Sequence, residues 1–418
     1  MPDVHIVNPV DEAEIEPWLR GLLRGLLSNP YEHAAERVAQ TRRSWQPDRA
    51  WGARDGDQWV ASLLSLQRRL TVPGGPEATG DIAVDAVSGV TVAATHRRRG
   101  LLSRMLADAL RAAKERGDAV SALIPAEYPI YGRFGYAPAA WTARYLFLPR
   151  EPGSQPVGGD RSAVRHVEAA DLRDTASAVF AAARRMRAGQ LDRPFPWWER
   201  ALGLDGHGSA GDIPKNWAVH EGADGADGLV AWRATRSFDL AAPAGAAKVT
   251  DLVAANDTAY RDLWAYVAGI DLLTEIELFE RPVDEPVRWL LPNARALRST
   301  SVTDFLWLRL LDVPAALTAR GYAGAGGLVL DVVDDAVGGY GHGRFALRAE
   351  GGSAECSPTS ASADLRLSQR ALASCYLGGA TLRQQWLAGA VEELTTGALA
   401  RFDALFATAQ APWNATWF

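Results

Sequence analysis

Two cysteines, Cys356 and Cys375, are all that the 418 residues contain, too few for a disulfide framework. Neither sits at metal-ligand spacing, and the seven histidines form no HxxxH or HExxH pair, so no bound metal is expected. No run of about 18 uninterrupted apolar residues is present to span a bilayer. The N-terminus, MPDVHIVNPVDEAEIEPWLR, is acidic where a signal peptide needs a basic and then an apolar run. With so little cysteine, this points to a reduced, cytoplasmic setting. Lysine occurs only at Lys114, Lys215 and Lys248 while arginine is abundant, which reads as codon bias rather than function. A net charge of -6 excludes a general nucleic-acid binder, whose backbone contacts need positive charge. An acidic balance suits a cationic small substrate instead.

What is present is an ordinary globular composition on a chain long enough for two or three domains. Three blocks are legible: 1–150, 160–298 and 299–418. The Pro/Gly/Ser-rich stretch LPREPGSQPVGGDRSAVRH separates the first two. The first block alternates strand and helix patterns, which predicts an α/β arrangement of a mixed sheet with helices against it. In the second, VEAADLRDTASAVFAAARRMRAG reads as helical and WAVHEGADGADGLVAWRAT as two strands around a turn; VTDLVAANDTAYRDLW is a strand followed by a helix capped at Asn256-Asp257. The third contains FLWLRLLDVPAALTARGY, the strands GRFALRAEG and ADLRLSQ, and late helices around LRQQWLAGAVEEL.

The segment TVAATHRRRGLLSRMLADAL, residues 91–110, changes character at its centre. A β-branched run meets His96-Arg97-Arg98-Arg99-Gly100, and a helix follows in which Leu102, Met105, Leu106, Ala109 and Ala113 share one face. Gly117 is placed as its C-terminal glycine. Arginines are poorly placed at the positive end of a helix dipole unless an anion visits. Unsatisfied amides at a strand–helix junction form an anion cradle, and Gly100 leaves room for close approach. Neither GxxxxGK[ST] nor GxGxxG is present, so this is not a nucleotide loop of either kind.

Arg97-Arg98-Arg99-Gly100-Leu101-Leu102 resembles the [Q/R]xxGx[G/A] pyrophosphate loop of GCN5-related N-acetyltransferases, departing from it at Leu102. VAATHRRRGLL at 92–102, IYGRFGYAPA at 130–139, LTVPGG at 70–75 and the C-terminal LWLRLLDVPAALTARGY and CYLGGA together resemble the enhanced intracellular survival (Eis) family, as does the terminal Phe418. The resemblance implies tandem acetyltransferase folds, the second degenerate, followed by a sterol-carrier-like α/β domain. It also implies acetyl-CoA as co-substrate, transfer to a small-molecule or peptide amine (aminoglycoside-, polyamine- or lysine-type), and a homohexamer.

Carried over by position, Val90 and Val92 would offer backbone groups to the pantetheine arm, with Ser88 a nearby contact and Gly89 standing where the mycobacterial pattern has a bulky aromatic. Arg97, Arg98, Gly100 and Leu101 would hold the diphosphate, with Arg98 or Arg99 in reach of the 3′-phosphate. Tyr131 matches the general acid, with Tyr136 its local rival. The main-chain carboxylate of Phe418 is the candidate base or water relay, and Glu127 the side-chain alternative. Trp197, Trp198, Trp289 and Asp284 or Glu285 are candidates for the far wall of the pocket. The competing function is an apolar-ligand carrier working through the third block.

Overall fold

The computed structural model describes residues 4–32, 34–74, 79–204, 215–236 and 244–418; Gly75 of LTVPGG lies outside them. Twelve strands form one mixed sheet, and five more form a second. In the first unit, His5–Val7, Ala50–Asp55, Gln58–Pro73 (β1) and Thr79–Val92 (β2) are antiparallel neighbours. Helix Leu101–Glu115 (α1) then returns the chain so that Val120–Leu123 (β3) runs parallel to β2. A short helix, Tyr128–Tyr131 (α2), leads to Ala137–Phe147 (β4).

The central unit repeats this order. Gly245–Ala254 (β5), helix Asp257–Ala268 (α3) and Leu273–Arg281 (β6) form a second strand–helix–strand unit with β5 and β6 parallel. Strand Leu297–Leu310 (β7) then inserts between β3 and β4, antiparallel to both. Because β4 also pairs with β6, the two units share one sheet. The block expected from residue 299 thus gives its first strand to the large sheet, and its own sheet begins at Gly326.

That second sheet has the order Ser353–Pro358, Gly343–Glu350, Gly326–Val333, Leu365–Ser368 and Val391–Glu393. Its apolar face is filled by Leu330, Leu365, Tyr376 and Phe402, in one core with Leu70, Val84 and Val120 of the first unit. The LRQQWLAGAVEEL stretch is helical only over Leu382–Leu387. Gly389, at φ +76°, turns the chain so that Val391 pairs with Leu367 as a strand. Tertiary pairing overrides local helix propensity there.

In α1 the buried face is Leu101, Met105, Leu106, Ala109, Leu110 and Ala113. It is rotated slightly from the face read in the sequence, so that Leu101 and Leu110 are buried and Leu102 is half-buried. Gly117, at φ +84°, closes the helix. Since Leu106 is fully buried, Leu106→Ala is expected to lower stability by about 2–5 kcal/mol. The exposed Arg104→Ala should stay within about 0.5 kcal/mol. Urea denaturation of the two variants checks the difference, and equal effects would refute the assigned face.

Candidate active site

The site begins where two parallel strands part. β2 pairs with β3 only from Asp85↔Ser121 to Val87↔Leu123, and β2 then continues to Val92 after β3 has ended. A bulge marks the divergence: Leu64 pairs with Ser88 but Ser62 pairs with Thr91, so the β2 backbone gains length against β1. Gly89 supplies φ +57° inside the bulge, and the Ser62 hydroxyl donates to its carbonyl at 2.8 Å. Ser88, Val90 and Val92 therefore lie on a strand segment that β3 leaves uncovered, as a sheet-like partner for an extended ligand would require.

A buried polar cluster holds the opening at its base. Asp85 is fully buried and accepts from Ser65, from Arg116 at 3.0 Å and from Ser121 at 3.2 Å, with Arg49 at 3.5 Å. Burial raises its carboxyl pKa, and the Ser65 hydrogen bond and Arg116 partly offset that.

At the far end of β2 the chain enters the arginine-glycine turn. His96 is locked between Asp55 at 2.9 Å and Thr95 at 2.8 Å. Arg98 takes φ +64° and Gly100 φ +73°, and Gly100 caps α1 without any side-chain cap bond. A Cβ built on Gly100 would meet nothing within 4 Å, so the space above the first-turn amides of α1 is open. Arg97, Arg98 and Arg99 are all exposed. Arg99 reaches the Thr95 carbonyl at 3.3 Å and Arg97 lies 3.7 Å from Glu127, whereas Arg98 has no partner among the described residues. An uncapped helix start beside three exposed guanidinium groups, that of Arg98 unpartnered among the described residues, fits a diphosphate. Glu127 is exposed and lies between the arginine turn and Tyr131, whose phenol feels its charge.

Tyr131 lies on a short helix, packed in one cluster with Val87, Leu101 and Leu123 and edge-on to Tyr136 at 6.3 Å between ring centroids. Burial, with a smaller contribution from the Glu127 charge, pushes its phenol up to about 12. It stays protonated at neutral pH, so its hydroxyl has a proton to donate. No hydrogen bond engages the Tyr131 hydroxyl among the described residues. The Tyr136 hydroxyl, by contrast, is bound to Ser121 at 2.6 Å and buried. Arg309 fixes the turn between them, donating to the Phe134 carbonyl at 2.7 Å.

The C-terminal segment is ordered onto this site. Arg193 donates to the Thr416 hydroxyl at 3.1 Å and the Ala415 carbonyl at 3.3 Å while pairing with Asp251. Trp197 Nε1 donates to the Trp417 carbonyl at 3.0 Å, and Trp417 meets Phe305 edge-on at 4.9 Å. The main-chain oxygen of Phe418 then accepts from Ser88 Oγ at 2.8 Å. Phe418 and Ser88, 330 positions apart, are thus brought together. The arginine clamp was missed from the sequence, and its only local signal is an arginine beside the PFPWW aromatics. Of the proposed wall residues, Trp197 touches the tail and Asp284 accepts from Ala411 N at 3.0 Å. Trp198 is core, Glu285 is ion-paired with Arg281, and Trp289 projects into solvent.

Residues 7–139 match a model of the acetyltransferase (GNAT) domain, residues 189–310 match a second such model, and residues 313–415 match the sterol carrier protein domain. An uncharacterised N-acetyltransferase of Streptomyces griseus is 40% identical over 98% of both chains. N-acetyltransferase Eis of Mycobacterium tuberculosis is 36% identical over 85% of each. The crystal structure of Eis1 from Mycobacterium abscessus superposes over 100% of both chains with a TM-score of 0.84 at 30% identity. The opened β2–β3 pair, the uncapped helix at Gly100 and the sterol-carrier-like third unit agree with these matches, and the chain belongs to the Eis family of GCN5-related N-acetyltransferases.

Proposed function

We propose that this protein transfers the acetyl group of acetyl-CoA directly to an amino group of a cationic acceptor of the aminoglycoside, polyamine or lysine type. The observation that carries this reading is the Phe418 main-chain oxygen at 2.8 Å from Ser88 Oγ, on the very strand segment left open beside β3. Bound acetyl-CoA supplies an acetyl thioester. The uncapped amides at Gly100 and Leu101, with Arg97, Arg98 and Arg99, hold its phosphates, and the free edges of Val90 and Val92 align the arm.

The chain's own groups then handle two protons. The terminal carboxylate orients the acceptor ammonium and takes its proton through water, because a carboxylate with a reference pKa near 3.5 is too weak a base to do more. As the new N–C bond forms and the C–S bond breaks, the Tyr131 hydroxyl gives its proton to the departing sulfur, and the second proton shed by the acylated nitrogen restores the phenol. The reading favours Tyr131 over Tyr136 because the Tyr136 hydroxyl is buried and engaged with Ser121.

Tyr131→Phe is expected to lower kcat about 10²-fold or more in a thiol-release assay with acetyl-CoA and a panel of amines. It should leave the melting temperature unchanged, since no hydrogen bond is lost. A rate within about threefold of the parent removes Tyr131 from the mechanism. Tyr136→Phe should instead lose about 1 kcal/mol of stability with a small effect on kcat.

Adding a Gly-Ser dipeptide after Phe418 is expected to suppress turnover at least about tenfold while CoA still raises the melting temperature. Full turnover by the extended protein would take the terminal carboxylate out of the reaction. Because Tyr131 titrates only near 12, it imposes no alkaline decline on kcat below about pH 10. A decline near neutrality that disappears in Tyr131→Phe would contradict this.

A further inference from the structure

The central unit has an opening of its own. It lies between the end of β5 at Leu252–Ala254, the first turn of α3, the end of β6 and the C-terminal tail, and encloses about 140 Å³. By its place in the duplicated strand–helix–strand order it corresponds to the cleft between β2 and β3. It is built differently. Asn256 caps α3 through its own side chain, accepting from Ala259 N at 2.8 Å, and Asp257 occupies the first turn. An anion is therefore excluded from the position that Gly100 leaves open in the first unit.

Size and charge together define what the cavity would take. An apolar cavity of about 150 Å³ accepts a benzene-sized molecule, so this one has room for a single aromatic ring. Phe180, Met186, Leu252 and Trp413 supply apolar and aromatic walls. Three arginines also face it, but each already holds a carboxylate: Arg184 with Asp81 at 2.8 Å, Arg187 with Asp284 at 2.8 Å and Arg281 with Glu285 at 2.7 Å. Asp257, at the rim, has no hydrogen-bond or ion-pair partner among the described residues. Asp81 is shared with Arg69, so the negative charge is local: it is the carboxylate beside the first turn of α3 that lacks a partner.

We propose that this cavity is a second binding site, for a single-ring arylalkylamine whose ring enters between Phe180, Leu252 and Trp413 and whose ammonium meets Asp257. Neither Tyr131 nor the Gly100 turn lines the cavity, so the ligand is held rather than acetylated there. Trp413 and Ala415 do line it. An occupant therefore packs against the same tail that ends at Ser88, and secures it to the central unit.

Calorimetric titration of the full chain, saturated with CoA, with 2-phenylethylamine and with uncharged 2-phenylethanol tests the site. Both should bind saturably, one per chain. Asp257→Asn should weaken the amine about threefold, as for an exposed ion pair, and leave the alcohol unchanged. Ala183→Leu, which fills the cavity from the end of its helix, should weaken both. Crystals soaked in 4-bromophenethylamine should place the bromine between Leu252 and Trp413. Three results would overturn the proposal: no saturable binding below about 10 mM, equal affinity of the amine for parent and both variants, or bromine found only beside Tyr131.

Discussion

One guanidinium carries the architecture of the site. Arg193 is buried against Phe180 and Trp197, each 4.1 Å from ring centroid to charge, and spends its donors on Asp251, Thr416 and the Ala415 carbonyl. Burial lowers its pKa and the Asp251 charge opposes that. A buried charge is costly unless its partners are all in place. The tail is one of those partners, so the clamp that fixes the tail is itself incomplete without it. From this anchor the chain has two residues left, enough to carry Phe418 to Ser88 in the neighbouring unit.

The two strand–helix–strand units show how one topology is directed to two ends. In both, a parallel pair opens ahead of a helix N-terminus. In the first unit the helix begins at a glycine whose Cβ position is open, and three exposed arginines precede it. In the second, an asparagine caps the helix and an aspartate follows, while the tail runs along the opening: Trp413 Nε1 donates to the Glu280 carbonyl at 2.6 Å and its backbone sits tightly over Gly189. Residues at a single helix start thus decide whether the first-turn amides are left open or capped by the chain itself.

One sheet ties the first and central units together. β7 leaves the central unit and completes the first between β3 and β4, and its Arg309 holds the turn that carries Tyr131 to the carbonyl of Val337 in the third unit at 2.6 Å. The turn that carries Tyr131 is therefore positioned by residues far from it in the sequence, Arg309 and Val337. Its buried setting keeps the phenol protonated, and the Ser121–Tyr136 bond leaves only one of the two tyrosines free.

The sequence by itself determined the elements whose causes are local. The amphipathic period of α1, the glycine and arginines before it, the asparagine cap of α3 and the turn-bounded strands depend on neighbours a few residues away, and the motifs carrying the family resemblance lie in such stretches. Where local preference met distant pairing the reading diverged: Val391 became a strand, and residues 299–310 joined the large sheet. Tertiary structure alone decided which carboxylates and aromatics matter. Trp197 and Trp198 are adjacent in the chain, yet one binds the tail and the other fills the core. The meeting of Ser88 with Phe418 likewise depends on the Arg193 clamp, 223 positions from the Thr416 it holds, through contacts that no periodicity or spacing encodes.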